Sequence, residues 1–355
     1  MNSNFNTPIL TLDEFSKTIT DHYSDSLCLV LVDENTRKNC MPHLHHISRL
    51  LRMPASLQNA QIIEIRSGEK EKNLQTYSLI IEKLLENNAD RSSLLINVGG
   101  GAICDIGGFA ASTYRRGIDF INIPTTLMAM VDAAHGGKTG VDFLNLKNQV
   151  GVFAPAKYVV IDVDFLNTLP TEEILSGFAE MMKIALVVSA DFWNAIKNAD
   201  LKNNQTLKPL IYQAIEKKMK IVENDPTEKN IRKILNFGHT FGHAFETFAL
   251  ENKEEISHGH AVAMGILCEL WLSEKILKFD AKLRQEISDF IYSKYPKFQI
   301  QATDLERLTT IILQDKKNSG NQIKPILLQK IGLPRFDLTC SKELCLEAFQ
   351  AYIAS

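Results

Sequence analysis

Short β-branched and aliphatic runs separated by helix-length stretches fill the first half of the chain and constrain its fold more than any other feature. They are Leu27–Val32, Gln61–Ile65, Ser93–Val98, Asp119–Ile123 and Tyr158–Asp162, with helix-length segments such as Asn73 to Asn87 between several of them. Strands alternating with helices predict crossover connections and a parallel sheet. From Leu169-Pro170-Thr171-Glu172-Glu173, which reads as a helix start with early acids, the apolar period lengthens to that of helices. The late exception is Lys324–Gln329. The pattern places an α/β domain over residues 1–170 and a mainly α-helical domain over residues 171–355.

Composition excludes several classes. At 355 residues, 45% hydrophobic and 23% charged, the chain has material for two cores and is not a disordered one. A net charge of −3 without a long basic run leaves no footprint of a nucleic-acid binder. Clusters such as Lys217-Lys218-Met219-Lys220, taken alone, read as solvated helix faces. No apolar run approaches the roughly 20 residues of a membrane span. Six scattered cysteines without a Cys-x-x-Cys pair, and no signal pattern after Met1, predict a cytoplasmic protein.

Chemistry concentrates in Asn236–His243 and His258-Gly259-His260, which hold four of the nine histidines. On a helix His239 and His243 share a face, while Gly238 and Gly242 allow close approach of another element. A lone helical histidine is more often packed or solvated, but two at ligand spacing beside a His-x-His favour a metal. The third ligand candidate is Glu180, in Gly177-Phe178-Ala179-Glu180-Met181-Met182-Lys183. A carboxylate among apolar neighbours is costly to bury unless paired or metal-bound. A surface Glu180–Lys183 pair is the competing reading.

Gly99-Gly100-Gly101 follows a strand and leads into a helix, so it reads either as a tight structural turn or as a turn where backbone N–H groups meet a pyrophosphate. Asp33 and Asn35, just past a strand, could accept from ribose hydroxyls or simply end the strand. Pro124-Thr125-Thr126 puts two hydroxyls at the carboxyl edge of the sheet. Asp132 to Lys138 sets an acid, glycines and a lysine in an apolar stretch. With Lys147, Asn148, Arg116, Lys218, Arg232, Lys316 and Lys317 these donors suit a phosphate- or carboxylate-bearing substrate, although each alone reads as a salt-bridge partner.

In this combination and order the chain resembles the 3-dehydroquinate synthases of the sugar-phosphate cyclase superfamily, from about Asp33 to Lys317. The motifs that carry the resemblance are Ser67–Lys72, the triple-glycine turn, Pro124–Thr126, Asp132–Lys138, Gly177–Lys183, Arg232–His243, His258-Gly259 and Asp315–Asn318. The resemblance implies a Rossmann-like N-terminal domain and a helical C-terminal one. It implies one zinc or cobalt ion on Glu180, His239 and His258, with His243 near substrate. NAD would be held by Asp33, Asn35, Glu69, Lys72, Gly100, Gly101, Ala102, Asp105, Thr125, Thr126, Met128, Asp132, Lys138, Lys147, Phe165, Thr168, Leu169 and Glu173. Substrate would meet Asp132, Lys138, Asn148, Lys183, Lys218, Arg232, Asn236, His243 and one or both of Lys316 and Lys317. Arg116 would reach the substrate phosphate across a homodimer interface.

The reaction so implied converts 3-deoxy-D-arabino-heptulosonate 7-phosphate to 3-dehydroquinate and phosphate. It runs by transient oxidation by NAD, β-elimination of phosphate, reduction, ring opening and intramolecular aldol closure. Two positions depart from the family pattern: His135 stands where an aliphatic residue is usual, and His260 where Glu is usual. His260 is expected to take the polar supporting role of that Glu rather than to bind metal. The alternatives are a sister cyclase of the 2-deoxy-scyllo-inosose or 2-epi-5-epi-valiolone synthase type, a metal-dependent glycerol or alcohol dehydrogenase, and a non-enzymatic zinc-stabilised module.

Overall fold

The alternating pattern is realised as a six-stranded sheet in which every pairing is parallel. The computed structural model describes residues 7–144, 146–314 and 323–355. Its described chain divides into two compact units, Met1–Pro170 and Thr171–Ser355.

In the first unit the strands are β1 (Ile9–Leu10), β2 (Cys28–Asp33), β3 (Gln61–Ile65), β4 (Leu94–Gly99), β5 (Asp119–Pro124), β6 (Lys138–Phe143), β7 (Leu146–Phe153) and β8 (Tyr158–Val160). The sheet order is β1-β8-β5-β4-β2-β3. β2, β4 and β5 are almost wholly buried along their length, as expected of parallel strands covered on both faces. The helix Leu74–Glu86, capped by Asn73 accepting from the Thr76 N–H, fills the stretch expected between the second and third apolar runs. The chain passes from β2 to β3 on one side and from β3 to β4 on the other side of β2. The β2–β4 boundary is therefore the topological switch point, whose carboxyl end is where ligands of such sheets bind.

Two elements were not expected from the sequence. β1 adds a two-residue edge strand to β8. β6 and β7 form an antiparallel hairpin outside the main sheet. The last apolar run expected in this unit is shorter than its sequence suggests, since Asp162 leaves the strand to cap the helical turn Val163–Thr168.

The second unit is built of helices, with Thr171–Val188, His239–Glu251 and His258–Leu277 at its centre. The expected late β run becomes β9 (Leu327–Lys330), paired with β10 (Leu333–Arg335). Glycines set how closely the central helices approach. A Cβ on Gly259 would stand 2.0 Å from the Ser176 carbonyl oxygen, and one on Gly265 would stand 1.9 Å from that of Gly238. Gly238 itself, at φ +81°, takes a left-handed conformation that a side chain would strain. An aromatic cluster of Phe241, Phe245, Phe349 and Tyr352, with ring centroids 5.0–5.6 Å apart, packs the face of His239–Glu251 away from the histidines.

Candidate functional site

Three helix-borne side chains converge in the second unit. Glu180, 1% exposed, sits midway along Thr171–Val188, while His239 and His258 are each the first residue of their helices. One potential ligand atom from each lies within 4.8 Å of the other two. Glu180 Oε1 is 3.6 Å from His239 Nε2 and 3.7 Å from His258 Nε2. Those separations exceed an N–H···O hydrogen bond, whose usual range is roughly 2.7–3.2 Å. They approach the roughly 3.4 Å edge of a tetrahedron built on metal bonds of about 2.0–2.1 Å.

Both rings turn their other nitrogen to an oxygen. His239 Nδ1 is 3.3 Å from the Phe237 carbonyl, and His258 Nδ1 is 3.2 Å from Glu246 Oε1. A proton on Nδ1 of each ring directs the Nε2 lone pairs toward Glu180. Burial pulls the His258 pKa down, but Glu246 and Glu180 outweigh it and push it up to about 10. The donor set thus attracts a cation at neutral pH, and a divalent ion can take the place of that proton. A carboxylate and two neutral imidazoles suit zinc or cobalt and leave a coordination position open.

Lys183, 2% exposed and one helical turn on from Glu180, is ion-paired with its carboxylate. The Glu180–Lys183 pair is therefore buried rather than on the surface. His243 lies beside the cluster, its ring centroid 5.5 Å from that of His239, but it is outside the converging set. His260 donates from Nε2 to the Pro296 carbonyl at 2.6 Å, so among these histidines it is held away from Glu180. The proton lies on Nε2, since a carbonyl only accepts.

Two cations of this unit are placed by the local fold. Lys218, 3% exposed, lies on Asn204–Asn224, and Arg232, also 3% exposed, lies on the 3-10 segment Ile231–Asn236. Asp225 accepts the backbone N–H groups of Lys229, Asn230 and Arg232, fixing the turn that presents the arginine. Arg232 Nη1 donates to the Pro226 carbonyl at 2.6 Å, and Asn236 donates to Glu228 at 2.5 Å. Asp225, Glu228 and Glu246 were not singled out in the sequence. Glu246 carried a signal, because it follows His243 by three residues on one helix face. Lys316 and Lys317 lie outside the described residues.

In the first unit, several of the residues expected to meet NAD lie at or just past the carboxyl ends of neighbouring strands. Asp33 ends β2, Gly99 ends β4, and Thr125 and Thr126 follow β5. The helix Gly101–Thr113 begins at Gly100 without a side-chain cap, leaving first-turn N–H groups available. Cβ atoms on Gly100 and Gly101 would come within 3.1 Å of Thr126 and Ala133. Asp132 lies in the π-turn Ala129–Ala133. Asp33 caps the next helix, accepting the Thr36 N–H through Oδ1 at 2.7 Å, so the strand-ending reading describes at least that oxygen. Asn35, Lys138, Lys147 and Thr168 are exposed, Ala102, Met128 and Leu169 are half-buried, and Phe165 is buried. Glu173 lies in the first turn of the second unit. Arg116, at φ +70°, is exposed.

Lys72 ties its own turn to Asp105 on the helix Gly101–Thr113 and to the β6–β7 hairpin. It is 3% exposed and lies 2.8 Å from Glu69, 3.2 Å from Asp105 and 3.8 Å from Asp142, and it donates to Asn148 Oδ1 at 2.9 Å. Burial pulls its pKa down, but Asp105, Glu69 and Asp142 outweigh it and hold it above the usual lysine value. Burial pushes Asp105 up to about 6 against the pull of Lys72. A carboxyl whose folded pKa is raised from 3.8 favours the folded state most at low pH. Wild-type stability relative to Asp105→Asn should therefore fall as pH rises from about 4 to about 6 and level off above. Paired thermal melts across pH 3.5–8 check this, and a pH-independent difference refutes it.

A second group, His43, Asp162 and Asp164, also clusters within ligand distance. It is accounted for without a metal. Asp162 bonds His43 at 2.6 Å through Oδ2 and accepts the Asp164 N–H through Oδ1. His135, the other departure from the family pattern, is buried with Nε2 2.7 Å from the Met130 carbonyl. The six cysteines are free and buried, and among the described residues no helix is long and apolar enough to cross a membrane.

A parallel α/β unit followed by a helical unit is also the architecture of solved sugar-phosphate cyclases. A 2-deoxy-scyllo-inosose synthase complexed with carbaglucose-6-phosphate, NAD+ and Co2+ has 22% identity and a TM-score of 0.84, over 97% of this chain and 96% of that one. The 2-epi-5-epi-valiolone synthase from Streptomyces hygroscopicus, with NAD+ and Zn2+ bound, has 21% identity and a TM-score of 0.84, over 98% and 97%. At those identities the likeness defines the fold class. The particular family is fixed by sequence: the model of the 3-dehydroquinate synthase N-terminal region matches residues 62–176, and that of the C-terminal region matches residues 177–318. The 3-dehydroquinate synthase of Parabacteroides distasonis is 43% identical over 91% of this chain and 90% of its own length. The chain belongs to the 3-dehydroquinate synthase family, and its activity is the synthesis of 3-dehydroquinate.

Proposed function

We propose that the chain makes 3-dehydroquinate as a NAD- and divalent-metal-dependent carbon–oxygen lyase acting on the carboxylated heptulosonate 7-phosphate. The observation that carries this reading is the convergence of Glu180, His239 and His258 in a unit that also buries Lys183, Lys218 and Arg232. In the assignment proposed, Met1–Pro170 holds NAD through the switch-point residues Asp33, Gly100, Gly101, Thr125 and Thr126 and through the Lys72 cluster. Thr171–Ser355 holds the metal and most of the substrate. The ion supplies Lewis acidity to a substrate hydroxyl, and NAD supplies a hydride acceptor that is restored within each turnover.

The chain's own groups supply position and charge. Lys183, Lys218, Arg232 and Asn236 donate to the substrate's anionic and hydroxyl oxygens, with Asp132, Lys138, Asn148 and His243 completing the set. Burial strengthens these contacts and keeps water from an intermediate that must survive several steps. The lysines and arginines match a substrate bearing both phosphate and carboxylate. Arg116, exposed on a turn, is assigned to the phosphate of a neighbouring protomer's substrate, which makes the working form a homodimer. A cytoplasmic location accords with six free thiols.

The deciding experiment supplies the heptulosonate phosphate with substoichiometric NAD and Zn2+ or Co2+, and follows phosphate, dehydroquinate and NADH. Many turnovers per NAD without NADH build-up are expected. Accumulating NADH would select a dehydrogenase, and turnover of glucose 6-phosphate or sedoheptulose 7-phosphate instead would select a sister cyclase. A chelator should abolish turnover while far-UV circular dichroism stays native, and added Zn2+ should restore it. Unfolding on chelation would assign the ion a structural role instead.

A further inference from the structure

We infer that Glu246 is a positioning residue for the metal site, holding His258 by Nδ1 so that Nε2 is presented to the cation beside Glu180. The inference rests on the metal reading proposed above. Two distances define the arrangement: His258 Nδ1 is 3.2 Å from Glu246 Oε1, while its Nε2 is 3.7 Å from Glu180 Oε1. A neutral imidazole has one N–H, and a carboxylate can only accept it. The proton therefore belongs on Nδ1 and the lone pair on Nε2, the tautomer a metal ligand at Nε2 requires.

The support comes from an element already tied to the site. Glu246 lies on His239–Glu251, seven residues after His239 and three after His243, so it shares their helix face. Its side chain is 15% exposed, which strengthens its hold on the ring. The same helix thus contributes one ligand and orients another on His258–Leu277. The two imidazoles face different acceptors through Nδ1: His239 the neutral Phe237 carbonyl, His258 the Glu246 carboxylate. A carboxylate partner raises imidazole basicity more than a carbonyl does, so His258 is the stronger donor and Glu246 bears on affinity as well as orientation.

The test titrates Co2+ into full-length apo-protein and follows heat and the visible d–d absorption of the bound ion. Glu246→Ala should weaken Co2+ binding by about 10–100-fold and alter the d–d bands. Glu246→Gln, whose amide oxygen still accepts from Nδ1, should lose less. Affinity within about twofold of wild type and unchanged bands in Glu246→Ala overturn the inference, since the expected loss is at least about tenfold. Should the alanine variant fail to fold, Glu246→Gln decides: a weaker complex with shifted bands supports the role, and wild-type affinity and spectrum overturn it. Wild-type protein that takes up no Co2+ overturns the metal reading itself, and the inference falls with it.

Discussion

Glu180→Gln protein is expected to emerge without its divalent ion and with turnover reduced by at least about 10³-fold, given that a catalytic ion contributes several kcal/mol. Glutamine keeps the side-chain volume but removes the only anionic ligand of the set, leaving two imidazoles 5.3 Å apart by ring centroid. The variant also takes from Lys183 its carboxylate partner in a site where that lysine is 2% exposed. Removing one partner of a buried pair costs about 3–5 kcal/mol, so a lower denaturation midpoint should accompany the loss of metal. Metal analysis of the purified variant, phosphate release and urea unfolding separate the two effects. A full complement of ion together with near-normal turnover would remove Glu180 from the site.

Most of the architecture could be read from period alone, because β2, β4 and β5 are buried on both faces and burial writes itself into composition. The hairpin β6–β7 could not. Its buried residues Thr139, Gly140 and Val141 are consecutive, and Phe143, Leu144, Leu146, Val152 and Phe153 are 39–78% exposed, so burial imposes no alternation. The site shows the same divide. Asn236–His243 and His258 stood out by residue type and spacing, whereas Glu180 also read as a surface partner of Lys183 and became a ligand through the family resemblance. The Lys72 cluster joins residue 72 to residues 105, 142 and 148, which only the tertiary fold brings together. Asp225 and Glu246 act through a turn and a ring nitrogen, and a sequence gives neither geometry. Asn148 illustrates the limit: expected at the substrate, it is found bonded to Lys72, and a role there remains a proposal.

Lys183→Met should cut turnover by about 10²–10³-fold, the loss typical when one charged or hydrogen-bonding group that stabilises a transition state is removed. Methionine fills the space of the lysine stem, so the packed face of Thr171–Val188 should stay intact. The sharper consequence concerns the ion. Lys183 Nζ pairs with Glu180 Oε2 on the same carboxylate whose Oε1 faces both imidazoles. The ammonium and a divalent cation therefore compete for one negative charge, and withdrawing the ammonium should tighten metal binding even as catalysis fails. A residue that only supported the fold would lower stability and metal affinity together. Co2+ titration beside steady-state kinetics distinguishes these cases, and weaker metal binding with turnover near that of the wild type would show that Lys183 serves the ion site alone.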